Sequence, residues 1–267
     1  MNPKLAVIQF PGSNCEYETA FSANYYGFHT EIIRWNSEPD YLKTFDAFIL
    51  PGGFSFQDRV RAGVIASRLP IMEHLIEASK QGKAVLGICN GCQILVEVGL
   101  VPNINNDFRI QAGLTYNLKQ GKSVGFVCDW VFVRVQNPKK SVFTKYFSDK
   151  DIIPIPINHA EGRFALDNEL IKKRSQLTTL SYCNESGEIK TGFCPNGSSF
   201  ELAAMCNQEG NVMAIMPHPE RGMFLKQIPF WIRSQWSLDK EAGFRDKSDS
   251  EGPWGKLLVS LKDSIKT

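Results

Sequence analysis

The sequence predicts an α/β protein: a mostly parallel sheet flanked by helices, with an antiparallel extension. Three observations carry this. Short apolar runs alternate with helix-compatible segments over residues 4–98. The links between them are short, and strand–helix alternation of that kind means parallel strands covered on both faces. From residue 123 the texture changes to apolar runs with little helix between them.

Residues 4–10 read as a strand and residues 16–26 as a helix that Gly27 ends. Residues 30–34 and 45–50 follow as strands. A helix is expected over 70–81, opened by Pro70 and closed before Gly82. Residues 84–88 form a buried strand, and 90–98 a helix stopped at Gly99. In the extension, 123–127 and 130–135 are expected to pair with each other, and 152–158 and 177–183 add strands. The run 212–216 is a further short buried strand. Residues 239–252 are charge-rich and contain glycine, which predicts a mobile loop. Residues 254–265 suit an amphipathic helix with Trp254, Leu257, Leu258 and Leu261 on one face docked to the core. The whole, 1–267, is expected to be one domain with a C-terminal extension from about residue 226.

Composition narrows the function. A formal net charge of +2 over 267 residues argues against a nucleic-acid or membrane footprint. No apolar stretch reaches transmembrane length, and no secretory leader is expected before the first strand. Seven cysteines without framework spacing suit a reducing cytoplasm. No internal repeat or low-complexity tract is present.

The most informative run is Gly87-Ile88-Cys89-Asn90-Gly91, with Cys92 and Gln93 beyond it. A buried strand stops at a cysteine and becomes a helix, in the thiol form of a nucleophile elbow. Gly87 and Gly91 leave room for a turn that a β-carbon would crowd. The helix start aims its free N–H groups at the sulfur, and the amide of Asn90 is placed to donate to an oxyanion. Two blander readings stand beside this one: a buried filler cysteine, and a Cys-x-x-Cys redox or metal pair at Cys89 and Cys92. No second Cys-x-x-Cys exists to complete a zinc site.

A cysteine nucleophile needs a base, and His218 is the best placed of four histidines. It follows the 212–216 strand in Pro217-His218-Pro219-Glu220. The prolines predict an extended backbone, in which Glu220 lies on the same side as His218 and orients its ring. Gly52 and Gly53, after the 45–50 strand, expose backbone N–H groups that can complete an oxyanion hole.

These pieces, in this order, resemble the triad (class I) glutamine amidotransferases, whose sheet is flavodoxin-like. The chain resembles more narrowly the glutaminase subunits of phosphoribosylformylglycinamidine synthase. That narrowing rests on Phe10-Pro11-Gly12-Ser13-Asn14-Cys15, Gly52-Gly53-Phe54-Ser55, Cys89-Asn90-Gly91, His159-Ala160-Glu161-Gly162-Arg163-Phe164 and Met216-Pro217-His218-Pro219-Glu220-Arg221. The similarity spans roughly residues 4–225. Cys92, Gln57 and Ala160 depart from the family pattern, Gln57 and Ala160 where glycine is usual.

The resemblance implies glutamine hydrolysis through a Cys89 thioester, with His218 and Glu220 completing the triad. It implies oxyanion donors at Gly53 and Asn90, and a substrate contact at Gln93. Ammonia would pass to a separate synthetase subunit that uses ATP and magnesium to aminate formylglycinamide ribonucleotide in purine biosynthesis, with or without a small bridging subunit. This chain has no Walker-type loop, and no cofactor or metal is expected in it. The resemblance also puts His159 in a loop near the glutaminase mouth, while His29 and His74 read as structural. Two other classes stay open: a stand-alone cysteine hydrolase of the same architecture, and a non-catalytic interaction subunit.

Overall fold

The computed structural model describes residues 2–232, 235–236 and 250–265. The first part alternates as expected: β1 (Lys4–Gln9), α1 (Glu16–Tyr25), β2 (His29–Arg34), α2 (Pro39–Leu42), β3 (Ala47–Leu50), α3 (Ile71–Lys80), β4 (Ala84–Ile88) and α4 (Asn90–Glu97). There follow β5 (Ala112–Thr115), a small hairpin of β6 (Leu118–Lys119) and β7 (Lys122–Ser123), then β8 (Val127–Val135), β9 (Ile152–His159) and β10 (Arg163–Leu166). The chain continues with α5 (Asn168–Leu177), β11 (Thr178–Cys183), β12 (Leu202–Cys206), β13 (Val212–Ile215) and α6 (Gly255–Ile265).

Nine strands form one sheet in the order β2-β1-β3-β4-β13-β12-β11-β8-β9. The pairs from β2 through β13 are all parallel. Those from β13 to β9 are all antiparallel. The parallel half has the flavodoxin-like order, so loops after β1, β3, β4 and β13 gather at one edge, where sites of such sheets form. β3 and β4 are buried along their whole length, because both faces of the sheet are covered there. Every residue of α4 is buried as well.

The antiparallel extension folds back toward the same edge. Although β9 ends the strand order, its Pro156 carbonyl accepts from the His218 backbone N–H at 2.9 Å. The extension therefore supplies one wall of the site.

One pairing differs from expectation. Residues 123–127 and 130–135 are not partners; β8 runs unbroken through Cys128 and Asp129 and pairs with β9 and β11. No glycine or proline interrupts that stretch, and the turn chemistry sits earlier, at Gly121 and Gly125, both at positive φ. Several elements were not anticipated: α2, β5, β6, β10, α5 and β12.

The expected C-terminal helix is present as α6 and docks as its apolar stripe predicts, with Trp254, Leu257, Leu258 and Leu261 buried. Trp254 Nε1 donates to the Pro154 carbonyl of β9 at 3.0 Å. Lys262 Nζ donates to the Tyr26 carbonyl just past α1 at 3.2 Å. The expected mobile loop at 239–252 lies, up to residue 249, outside the described residues. Among the described residues, no helix is long and apolar enough to cross a membrane.

Trp254→Ala removes a fully buried ring and its hydrogen bond and should cost about 3–5 kcal/mol in urea unfolding. Val259→Ala on the exposed face of α6 should change stability by less than about 0.5 kcal/mol. Equal effects of the two would show that α6 does not dock through the Trp254 stripe.

Candidate active site

Cys89 stands between β4 and α4 at φ 50° and ψ −102°. A side chain rarely adopts that backbone, and holding it costs on the order of 1–3 kcal/mol. The anchors are visible. The Cys89 N–H donates to the Ile215 carbonyl of β13 at 2.8 Å, and its carbonyl accepts from the Gln93 N–H at 3.1 Å. Both elbow glycines are needed: a Cβ on Gly91 would come within 2.0 Å of the Leu50 carbonyl oxygen, and one on Gly87 within 2.4 Å of the Gly91 carbonyl oxygen. The sulfur lies 3.6 Å from the Asn158 carbonyl at the end of β9. Cys92 is a fully buried core residue, and all seven cysteines are free. The Cys-x-x-Cys reading finds no support.

His218 and Glu220 meet as the sequence predicts, by a different backbone. Pro219 starts a single 3₁₀ turn, Pro219–Arg221, rather than continuing an extended segment. Proline is tolerated at the first position of such a turn because its fixed φ already suits it. His218 Nδ1 donates to Glu220 Oε1 at 2.6 Å, and both side chains are almost fully buried. Burial alone would lower the ring's pKa; the Glu220 carboxylate and the Cys89 sulfur outweigh it and hold the pKa well above the ordinary histidine value. With Nδ1 committed to Glu220, Nε2 is the nitrogen free for proton transfer. It has no hydrogen-bond partner among the described residues.

A second cysteine flanks the ring. Cys15 Sγ is 4.0 Å from His218 Nδ1 and accepts from Arg221 Nη2 at 3.3 Å. Burial pushes its thiol pKa up. Cys15, His218 and Glu220 bring ligand-type atoms within 4.8 Å of one another, a spacing a metal ion could use. The Arg221 guanidinium, 4.0 Å from Glu220 Oε1, opposes a cation there.

The loop after β3 completes the edge. Gly53 is held at φ 146° and bridges to Ser13 of the loop after β1. A Cβ on Gly52 would approach His218 Cε1 to 2.7 Å, so that position must be small. The amide N–H groups of Gly53 and Asn90 donate to no acceptor among the described residues, which leaves both for an oxyanion. A cleft lined by Gly53, Phe54, Asp58, Cys89, Gln93, Asn158, His159, Ala160 and Glu161 opens over the sulfur.

The side chains of Asn90 and Gln93 brace this cleft. Asn90 Oδ1 accepts from Ser55 N–H at 3.0 Å, and its Nδ2 donates to Gln93 Oε1 at 2.8 Å and Asp58 Oδ1 at 3.2 Å. Gln93 Nε2 donates to the Glu161 carbonyl at 2.8 Å. His159 is buried and neutral, its pKa lowered to about 3 by burial, with His218 adding to the effect. Among the described residues it has no carboxylate partner comparable to Glu220, which leaves His218 as the better base. Sequence reasoning gave no role to Asp58, Asn158, Arg221 or Cys15, although Cys15 and Arg221 lie in motifs that carry the resemblance. The signal for Cys15 was its place after β1, whose neighbour in the sheet is β3.

The family model for the CobB/CobQ-like glutamine amidotransferase domain matches residues 2–251. Subunit PurQ of phosphoribosylformylglycinamidine synthase from Methanothrix thermoacetophila is 42% identical over 234 residues, covering 85% of this chain and 89% of the relative. This chain belongs to the PurQ family of glutamine amidotransferases. PurQ of Aquifex aeolicus is 40% identical over 221 residues, 82% of this chain and 90% of that protein. In the solved structure of PurLQS from Thermotoga maritima, one chain superposes with a TM-score of 0.73 at 29% identity, covering 99% of this chain and 100% of that one. The mostly parallel sheet with its antiparallel extension is the PurQ-type fold.

Asp58 gives a pH test of the cleft. Burial raises its carboxyl pKa from 3.8 to about 6, and the Glu161 charge adds to this. A raised acid is protonated folded or unfolded below about pH 3.8 and ionised in both states above about pH 6. The charge therefore destabilises the fold progressively across that window. Asp58→Asn keeps the acceptor for Asn90 and removes the charge. Its unfolding free energy should match the parent near pH 4 and exceed it by about 1 kcal/mol at pH 8, allowing for solvent screening at this half-buried site. A gain that is largest at low pH would contradict the assignment.

Proposed function

We propose that this chain is the glutaminase subunit of a phosphoribosylformylglycinamidine synthase. It hydrolyses glutamine to glutamate and ammonia and delivers the ammonia to a synthetase subunit. The observation that carries this is Cys89 held in a strained strand-to-helix turn beside the buried His218–Glu220 pair. Membership of the PurQ family supports the choice of partner.

The mechanism follows from the placement of the groups. His218 takes the Cys89 proton, and the sulfur attacks the glutamine carboxamide carbon. The oxyanion is held by the N–H groups of Gly53 and Asn90. His218, now an imidazolium stabilised by Glu220, protonates the amide nitrogen as the C–N bond breaks, releasing ammonia and leaving a γ-glutamyl thioester. The neutral ring then activates water, which displaces the sulfur and yields glutamate. Gln93 shapes the substrate cleft through its contact with Glu161 and Asn90.

The synthetase partner uses ATP and magnesium to aminate formylglycinamide ribonucleotide, with or without a small bridging subunit. The same reading places the chain in the cytoplasm. It treats 1–267 as a single amidotransferase domain whose extension from about residue 226 docks back through α6.

Cys89→Ala should lower glutamine-dependent synthesis by the reconstituted complex by about 10⁴-fold or more, while ammonia-dependent synthesis survives. Cys15→Ala and Cys92→Ala should retain glutamine turnover. Glutamate formation is measured with the chain alone and with partner, ATP and acceptor. A fast basal rate indifferent to the partner would favour a stand-alone hydrolase. No turnover in an assembled complex would favour a non-catalytic subunit.

His218→Ala should be nearly inactive, and Glu220→Gln impaired less, because Glu220 orients the ring rather than transferring a proton. Full turnover by His218→Ala, with His159→Ala dead, would move the base to His159.

A further inference from the structure

His159 lines the cleft over Cys89, yet the mechanism above does not use it. Its ring has a fixed protonation pattern, set by Asn117. Asn117 Nδ2 donates to the carbonyls of Gly125 at 3.0 Å and His159 at 2.8 Å. Asn117 Oδ1 accepts from the Gly162 backbone N–H at 3.0 Å. A backbone carbonyl only accepts and a backbone N–H only donates, so the amide cannot be turned round. His159 Nδ1 lies 3.2 Å from that same Oδ1. Facing an acceptor, Nδ1 must carry the proton. Nε2 is then a bare lone pair.

That lone pair is buried and has no partner among the described residues. Buried polar atoms are almost always paired, so an unpaired acceptor on a residue that lines the substrate cleft calls for a donor from the substrate. Protonation does not relieve it, since burial keeps the ring neutral.

On the glutaminase reading, the donor can be named. The carboxamide carbon sits over Cys89 with its oxygen toward the N–H groups of Gly53 and Asn90. The amide nitrogen therefore points away from those donors, on the side where His218 protonates it, and His159 stands close enough to that ring to feel its charge. It presents two N–H groups. The γ-carboxylate of glutamate presents none and would set an oxygen against the lone pair.

We propose that His159 Nε2 accepts a hydrogen bond from the carboxamide N–H of glutamine, so that His159 distinguishes the amide substrate from the acid product. This deepens the glutaminase reading and rests on it. Asp58 and Glu161, which also line the cleft, repel a glutamate carboxylate whether or not His159 is present. Any change in discrimination on replacing His159 is therefore its own contribution.

The test uses the assembled synthase with His159→Phe, which keeps a ring and removes both nitrogens. The glutamine KM and the inhibition constant of glutamate are measured side by side, with ammonia-dependent synthesis as the control for folding and assembly. The ratio of glutamate inhibition constant to glutamine KM should fall at least tenfold, since a site built to pair with a substrate N–H discriminates by that much or more. Equal weakening of both ligands, or no change in either, would overturn the proposal.

A second measurement needs no change at His159. The chain has four histidines, which makes ¹⁵N-histidine spectra assignable. In the complex containing Cys89→Ala, His159 should show the Nδ1–H tautomer, and its Nε2 resonance should move on adding glutamine but not glutamate. An Nε2–H tautomer, or an Nε2 signal that glutamine leaves unmoved, would overturn it even if His159→Phe fails to fold. A parent complex that does not hydrolyse glutamine at all would sink the glutaminase reading and this proposal together. An active complex with an unchanged ratio would sink only the role of His159.

Discussion

A side chain held at φ 50° and ψ −102° at the end of a buried strand needs surroundings that leave it no alternative. At Cys89 those surroundings are a parallel strand on each side of β4, a helix buried along its whole length, and glycines at both close contacts. Much else follows from that one conformation. It ends β4 abruptly and aims the first N–H groups of α4 at the space over the sulfur. It brings Gly91 against Leu50 and so fixes the distance between the nucleophile turn and the loop carrying Gly52 and Gly53. A strained residue is stable only where the rest of the fold over-determines it, and the burial of β3, β4, α4 and β13 does so here.

The His218–Glu220 pair depends on the same frame. β13 lies beside β4, so the residues after it emerge next to the elbow. β9 then reaches back, and its Pro156 carbonyl holds the His218 backbone. One acid and two thiols surround or approach this ring, and their arrangement leaves Nε2 open. Glu220 takes Nδ1, Arg221 engages Cys15 and Glu18, and Cys89 remains as the proton donor with oxyanion donors beside it. Cys15 is near the ring yet lies on its occupied side, with a thiol that burial keeps protonated.

The parallel half was legible in the sequence because buried strands there are short, apolar and bounded by Gly and Pro. The elbow was legible because Gly87 and Gly91 flank Cys89 at the spacing the turn demands. His218 and Glu220 were found together, although through a 3₁₀ turn rather than an extended segment. The antiparallel half was harder. β8 is partly exposed along most of its length, which blurs its alternation and concealed its passage through Cys128 and Asp129. β12, Leu-Ala-Ala-Met-Cys, lacks the β-branched residues that mark a strand and acquires its form from the neighbours it pairs with. α5 buries only Leu170 and Leu177, too few to give a helical stripe. The protonation of His159 was beyond reach from sequence, since it is set by Asn117, 42 residues away. Gln57, noted as a departure from glycine, sits at φ 60° within a run of left-handed residues, Phe56 to Asp58, which explains why glycine suits that position.

The central claim is that Cys89, and not its neighbour Cys15, is the sulfur that meets the glutamine carbon. A diazoketone analogue of glutamine, which alkylates a nucleophilic thiol at the position of the carboxamide, separates the two directly. The assembled synthase is treated with the analogue, digested, and its cysteine peptides are weighed by mass spectrometry. A single adduct on Cys89, prevented by excess glutamine, is the predicted result. An adduct on Cys15 with Cys89 unmodified would contradict the account.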